Sequence, residues 1–172
     1  MDKNAVPVNS KTQGSMRLEP SKAHHYVPLL SWVRQAENFV HWAGPSLKPA
    51  SNPAELEISL HTNNYESFSL VKNVHQQEEL LGFGQIQIWS KRAHLGRLII
   101  APQHRRKGLS YILINRLMEL ASQQHAIQSV SLFVYDENVG AKTSYENLGF
   151  VPAPYPKGIA YVPDCTFMTL DY

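Results

Sequence analysis

Between Leu95 and Gln124 the chain runs from an apolar strand pattern, through a proline and a basic turn, into the clearest helical pattern of the sequence. That order constrains the fold more than any other feature. Residues 93 to 100 read as a strand, with Leu95, Arg97 and Ile99 on one face and His94, Gly96, Leu98 and Ile100 on the other. Pro102 cannot donate to a sheet ladder and ends it. Gly108 to Gln124 then reads as a helix whose apolar stripe is Leu109, Ile112, Leu113, Leu117, Leu120 and Ala121. A helix start exposes unpaired N–H groups and partial positive charge, so it favours phosphate. Gly108 lets an oxygen approach the backbone, Ser110 is small enough not to block the first turn, and Arg105, Arg106 and Lys107 add positive charge for a pyrophosphate or a 3′-phosphate. Taken alone, such a basic glycine turn is more often a solvated loop. Here the flanking strand and helix favour the anion site.

The rest of the chain supplies partners for this unit. Residues 1 to 15 are polar and read as a flexible N-terminal arm, and 16 to 172 as one domain. Met16 to Glu19 alternates like a short strand, with Pro20-Ser21 as a helix start. Ala23 to Phe39 has helical spacing interrupted by Pro28, which predicts one broken helix or two short ones. Gly44-Pro45 stops that run, and Ala54 to Leu60 is a weaker helix. Ser67 to Lys72 and Leu80 to Ser90 alternate as antiparallel strands around a polar turn, Asn73 to Glu79. Val130 to Val134 reads as a buried strand and Ala141 to Leu148 as a helix. Gly149 is its C-cap, Phe150-Val151 turn back toward the core, and Thr166 to Leu170 is a closing strand. The expected fold is α/β (α+β): one central mixed, mostly antiparallel twisted sheet of six to seven strands, flanked by about four helices.

Composition removes several alternatives. With 172 residues there is room for one ordinary core. Sixteen Lys and Arg against 14 Asp and Glu leave a formal charge of +2, too small to demand nucleic acid or a membrane as partner. The single cysteine, Cys165, rules out an intrachain disulfide and the usual zinc spacings, so no metal site is expected. With no membrane-length apolar run and no signal-like opening at Met1-Asp2-Lys3-Asn4, the expected location is the cytoplasm.

Arg105, Gly108 and Ser110 occupy the three fixed positions of a phosphate loop that reads Gln or Arg, two residues, Gly, one residue, then Gly or Ala. Ser110 departs mildly from the last. A second segment, Asn138-Val139-Gly140-Ala141-Lys142-Thr143-Ser144-Tyr145-Glu146-Asn147-Leu148-Gly149-Phe150, carries an Asn, Ala, Tyr and terminal Leu-Gly-Phe pattern. In these two stretches, over residues 93 to 151, the chain resembles the GNAT superfamily of acetyltransferases. The resemblance implies acetyl-CoA as co-substrate, with its pyrophosphate on Arg105, Arg106, Lys107, Gly108, Leu109 and Ser110. Its pantetheine arm would lie along Leu98, Ile99 and Ile100, where the family splays the sheet. A backbone N–H of Ile99 or Ile100 would hold the oxyanion. Asn138 would anchor the other side, and Tyr145 would contact the cofactor and protonate the departing thiolate.

The implied reaction is N-acetylation of a primary amine on a small molecule or peptide, by direct attack in a ternary complex. The family often places a glutamate base where this chain has His94, so His94 is the candidate base, with Glu57, Glu79 or a water chain as alternatives. The replaced glutamate also keeps open a non-catalytic acyl-CoA-binding module of the same fold. An RNA-binding role for the basic turn is disfavoured by the near-neutral charge. A homodimer is compatible with the resemblance.

Other features invite weaker readings. His24-His25 are adjacent, make a poor metal pair and read as surface residues. Gly82-Phe83-Gly84 lacks a dinucleotide motif's third glycine and reads as a bulged or closely packed strand. Trp42 is the tryptophan best placed to border a pocket, ahead of Trp32 and Trp89. Tyr155 and Tyr161, in the Pro-rich loop, are candidates for the acceptor side. Cys165 reads as a small core residue.

Overall fold

A computed structural model describes residues 15–34, 39–62 and 64–172. The predicted arm, residues 1 to 15, lies outside this description up to residue 14, as does Ala36 of the expected first helix. The described chain forms β1 (Arg17–Pro20), α1 (Tyr26–Arg34), α2 (Phe39–Ala43), α3 (Pro53–Leu60), β2 (Glu66–Val74), β3 (Gln77–Trp89), β4 (Arg92–Ile100), α4 (Leu109–Gln124), β5 (Ser129–Tyr135), α5 (Val139–Asn147), β6 (Val151–Pro152) and β7 (Cys165–Asp171). Single 3-10 turns precede α1 and α4 at Ala23–His25 and Pro102–His104. Seven strands make one sheet in the order β1-β2-β3-β4-β5-β7-β6, antiparallel except where β4 meets β5. This is the mixed, mostly antiparallel sheet expected.

Two apolar layers hold it. On one face Tyr26, Leu29, Leu30 and Val33 of α1 and Leu56 and Leu60 of α3 cover Val71, Phe83 and Ile99. On the other, Leu113, Ile114, Leu117, Met118 and Ala121 of α4 cover Leu70, Leu81, Ala93 and Leu95. Ile114 and Met118 extend the predicted stripe. The glycines of β3 are where α4 comes close. A Cβ at Gly84 would stand 2.8 Å from both Leu117 and Leu98, so the closely packed strand is what forms.

Three boundaries differ from expectation. Pro28 sits in the first turn of α1, where its missing N–H costs nothing, so it does not break that helix. The β2–β3 turn is not the polar run 73 to 79 but His75 and Gln76, both at positive φ, because strand pairing carries the polar residues Asn73 and Gln77 to Glu79 into the ladder. The third difference lies in β4 and shapes the site.

Candidate active site

β4 and β5 pair over only four residues, from Arg92 opposite Ser129 to Leu95 opposite Leu132. Beyond that point β5 continues against β7 and β4 continues against β3, so a parallel pair becomes a V. At the apex β4 carries a bulge: Phe83 faces Ile99 but Gln85 faces Gly96, and Arg97 has φ +51°. The extra residue shifts the strand's phase. Ala93, Leu95, Leu98 and Ile100 face α4, whereas His94 and Ile99 face the other way. The strict alternation read from residues 94 to 100 is therefore wrong after Gly96, because one inserted residue inverts every later side chain.

Side chains from three elements hold the bulge open. Trp42 of α2 donates its indole N–H to the Arg97 carbonyl at 2.9 Å. The Arg97 guanidinium donates to the Ala43 carbonyl at 3.1 Å and to Oε1 of Gln85 at 2.6 Å, and lies over the Tyr65 ring. The V is a cavity of about 710 Å³, which runs from the start of α4 to α5 and α2. Trp42 lines it, as the sequence suggested.

Of the predicted cofactor residues, Leu98, Ile99, Ile100, Arg105, Arg106, Gly108, Leu109, Ser110, Asn138 and Tyr145 line this cavity. Gly108 caps α4 in the left-handed conformation at φ +75°. The ladder distinguishes the two oxyanion candidates. Ala101 N–H donates to the Leu81 carbonyl, so by the alternation of antiparallel bonds Ile99 also points its N–H at β3, and that of Ile100 points into the V. The Ile100 carbonyl faces the same way and accepts from Arg105 Nε at 3.2 Å. Lys107 is the exception: its ammonium folds back onto the Gln103 carbonyl at 3.0 Å, and it is not among the lining residues.

α5 is bounded at both ends. The Asn138 side chain accepts from Ala141 N–H at 3.3 Å, a role at the helix start. At the far end Gly149 N–H donates to Glu146 and Phe150 N–H to Tyr145, with Gly149 at φ +95°. This is a Schellman termination, and its apolar contact is Phe150 against Tyr145, ring centroids 6.1 Å apart. The Leu-Gly-Phe end of the signature is thus a stop that also packs the tyrosine. Tyr145 is only 8% exposed, and burial alone pushes its phenol up to about 12.

His94 is not brought to the cavity. It is 3% exposed, stacked on Trp89 at 4.0 Å and edge-on to Phe133, with Nδ1 3.0 Å from Oγ of Ser131. Burial, then the nearby Arg97 and Arg92, push its imidazole down to about 3. Its surroundings are those of a packed core ring, because it lies in the stretch where β4 still pairs with β5. Glu79 is tied to His104 and Lys72, and neither it nor Glu57 lines the cavity. Tyr155 packs on Phe133, a lining residue, and donates to the Cys165 carbonyl at 2.7 Å, while Tyr161 packs on Tyr155 at the surface; neither belongs to the lining. Cys165 is buried, as a small core residue.

The sequence missed His41 and Glu137. His41 lines the cavity, its Nδ1 2.5 Å from Oε1 of Glu137 and its ring 4.2 Å from that of Tyr135. No spacing rule links α2 to the residue after β5, so only the fold reveals the pair.

The reading of His24-His25 as surface residues holds for His24, which is exposed, and needs correcting for His25. His25 is buried, and both Nε2 atoms lie 2.8 Å from Oε1 of Glu78, whose carboxyl they pull down to about 2. Three potential metal ligands therefore converge. However, Lys22 N–H donates to His25 Nδ1 at 3.0 Å, which assigns that ring's proton to Nε2. The nitrogen facing Glu78 has no lone pair to offer, and the trio works as a clamp from the 3-10 turn to β3.

Among solved structures, a spermidine N-acetyltransferase from Vibrio cholerae, in complex with CoA and spermine, superposes with a TM-score of 0.70 at 22% identity, over 91% of this chain and 95% of that one. A domain from Methanocaldococcus jannaschii superposes at 0.71 and 9% identity, covering 92% and 99%. The ribosomal-protein-S18-alanine N-acetyltransferase from Escherichia coli gives 0.66 at 19%, covering 91% and 94%. No helix of the described residues is long and apolar enough to cross a membrane. The model of the acetyltransferase (GNAT) family matches residues 34–150, so the chain belongs to that family of acetyltransferases.

Proposed function

We propose that this protein is an acetyl-CoA-dependent N-acetyltransferase that passes acetyl to a primary amine of a small molecule or peptide by direct attack in a ternary complex. The observation that carries this reading is the V between β4 and β5, which runs from the bare start of α4 to the Tyr145 phenol. Its lining holds Arg97, Arg105 and Arg106 and, among the described residues, no carboxylate, which suits a polyanionic ligand. Amines are the acceptors of two of the superposed proteins, as their names say, so the same nucleophile is proposed here.

On this reading Leu109 and Ser110, in the first turn of α4, donate backbone N–H groups to the pyrophosphate, with Arg105 and Arg106 alongside. Asn138, whose side-chain oxygen caps α5, offers its amide hydrogens to the opposite side of the cofactor. The Ile100 N–H pairs with the pantetheine chain or polarises the thioester carbonyl. Tyr145 gives its proton to the leaving sulfur. Burial holds this phenol at about 12, so it keeps its proton until charge develops on sulfur, and as a weaker acid than an ordinary thiol it makes that transfer uphill.

Calorimetric titration with acetyl-CoA tests the cofactor site, with Ser110→Glu as control, since a carboxylate in a first helical turn leaves the fold intact. Saturable binding weakened about 100-fold in the variant is expected, from like charges forced together. No binding by the unmodified protein would overturn the reading. Binding without CoA release toward any amine would favour the non-catalytic module.

A further inference from the structure

The reaction just described needs a base, and His94, the position suggested by sequence, is stacked inside the protein. The cavity offers a different imidazole. His41 stands on its wall beside Trp42, the residue bonded to the β4 bulge, so it lies on the same wall as the bonds that shape the apex. Its Nδ1 faces Glu137, so the proton sits on Nδ1 and the lone pair on Nε2. Contact with the Tyr135 ring fixes the plane of the imidazole. The other charged groups nearby are already engaged: Arg97 with Ala43 and Gln85, and Asp136 with Lys142 and Thr166.

A base oriented by a carboxylate on its far nitrogen is a recurring arrangement for taking a proton from a nucleophile. We propose that His41, oriented by Glu137, is the general base for the acceptor amine, an assignment that rests on the acetyltransferase reading above. Nε2 of His41 takes a proton from the amine nitrogen as its lone pair forms the C–N bond and the carbonyl electrons move to oxygen. When the carbonyl re-forms, the C–S bond breaks with its electron pair on sulfur, and sulfur takes the Tyr145 proton. The imidazolium proton returns to the tyrosinate through water, so the protein ends as it began. Glu137 is a positioning residue that fixes the tautomer and steadies the imidazolium.

The test uses the full chain with a panel of primary amines that includes spermidine and an alanine-headed peptide. His41→Asn keeps a donor toward Glu137 and removes Nε2. It is expected to lower kcat/KM by about 100-fold or more, flatten the acidic limb of the pH–rate profile, and leave the acetyl-CoA Kd within about threefold. His41→Gly should regain rate with added imidazole, which a structural role would not produce. Glu137→Gln should lower kcat and shift the acidic limb. Near-normal turnover by His41→Asn with its acidic limb intact would overturn the assignment. So would joint loss of rate and acetyl-CoA affinity without imidazole rescue, which would make His41 a structural prop. If the unmodified protein binds acetyl-CoA but acetylates nothing in the panel, the acetyltransferase reading falls and the base with it.

Discussion

Residues 92–95 and 96–100 belong to one strand and have opposite relations to β5. In the first stretch the two strands pair, and His94 and Ser131 are buried together. In the second a single extra residue, Arg97, breaks the phase and the strands part around a cavity ending at Tyr145. Burial acts at both ends but on different groups. At the closed end it strips an imidazole of basicity; at the open end it keeps a phenol protonated. A titratable residue's position relative to the bulge, more than its type, decides whether it is structural or available.

The largest expected effect breaks the open end. Tyr145→Phe should reduce kcat by about 100-fold or more, with acetyl-CoA affinity within about threefold, measured by steady-state CoA release and calorimetry. At the closed end, His94→Ala should leave turnover per folded molecule nearly unchanged. It should cost about 2–4 kcal/mol of stability in urea unfolding, because it opens a hole under Trp89 and orphans Ser131. A catalytic loss without a stability loss would reverse the two roles.

A milder test sharpens the same contrast by pH. The folded His94 lies at about 3 against 6.5 unfolded, so the unfolded state takes the proton first and stability falls as pH drops below 6.5, continuing down to about 3. Between neutrality and pH 4.5 this amounts to about 2–3 kcal/mol. Below 4.5 Glu78, held down at about 2, adds a loss in the same direction. His94→Phe should shrink the first phase and Glu78→Gln the second, the remainder coming from His25 in the first window and from Glu19, Glu79 and Asp136 in the second, read from unfolding midpoints across pH. The smallest change is Trp42→Phe. Without its bond to Arg97, stability should drop by about 1 kcal/mol and the acceptor KM rise several-fold as the apex loosens.

The difference between the two ends also explains how much was legible in sequence. The strand–turn–helix through Gly108 and the Asn138 to Phe150 segment are local, and local signals of period, capping and turn chemistry gave both. The bulge at Arg97 is not local. It arises from how β4 meets β3, and Gly96 alone does not say that an extra residue enters there, so the alternation carried past Gly96 comes out inverted; His94 is a candidate base only through the family resemblance, and its burial belongs to the paired stretch before the bulge. The same holds for His41 and Glu137, which meet only because α2 crosses the open end of the V. His25 was misjudged for a related reason: in a 3-10 turn packed on a hairpin, two adjacent rings can converge on one carboxylate.

Asn138 at one end of α5 and the Gly149-Phe150 stop at the other leave that helix no room to slide. Its residues face the cleft by count, not by affinity for it. One residue inserted between Asn138 and Tyr145 would turn the phenol about 100° off the cavity while the helix kept its bonds and caps. Residues on the outer face of α5 could change freely under such an arrangement, but its length could not. For this part of the site, what the chain must preserve is a number of residues rather than a particular surface.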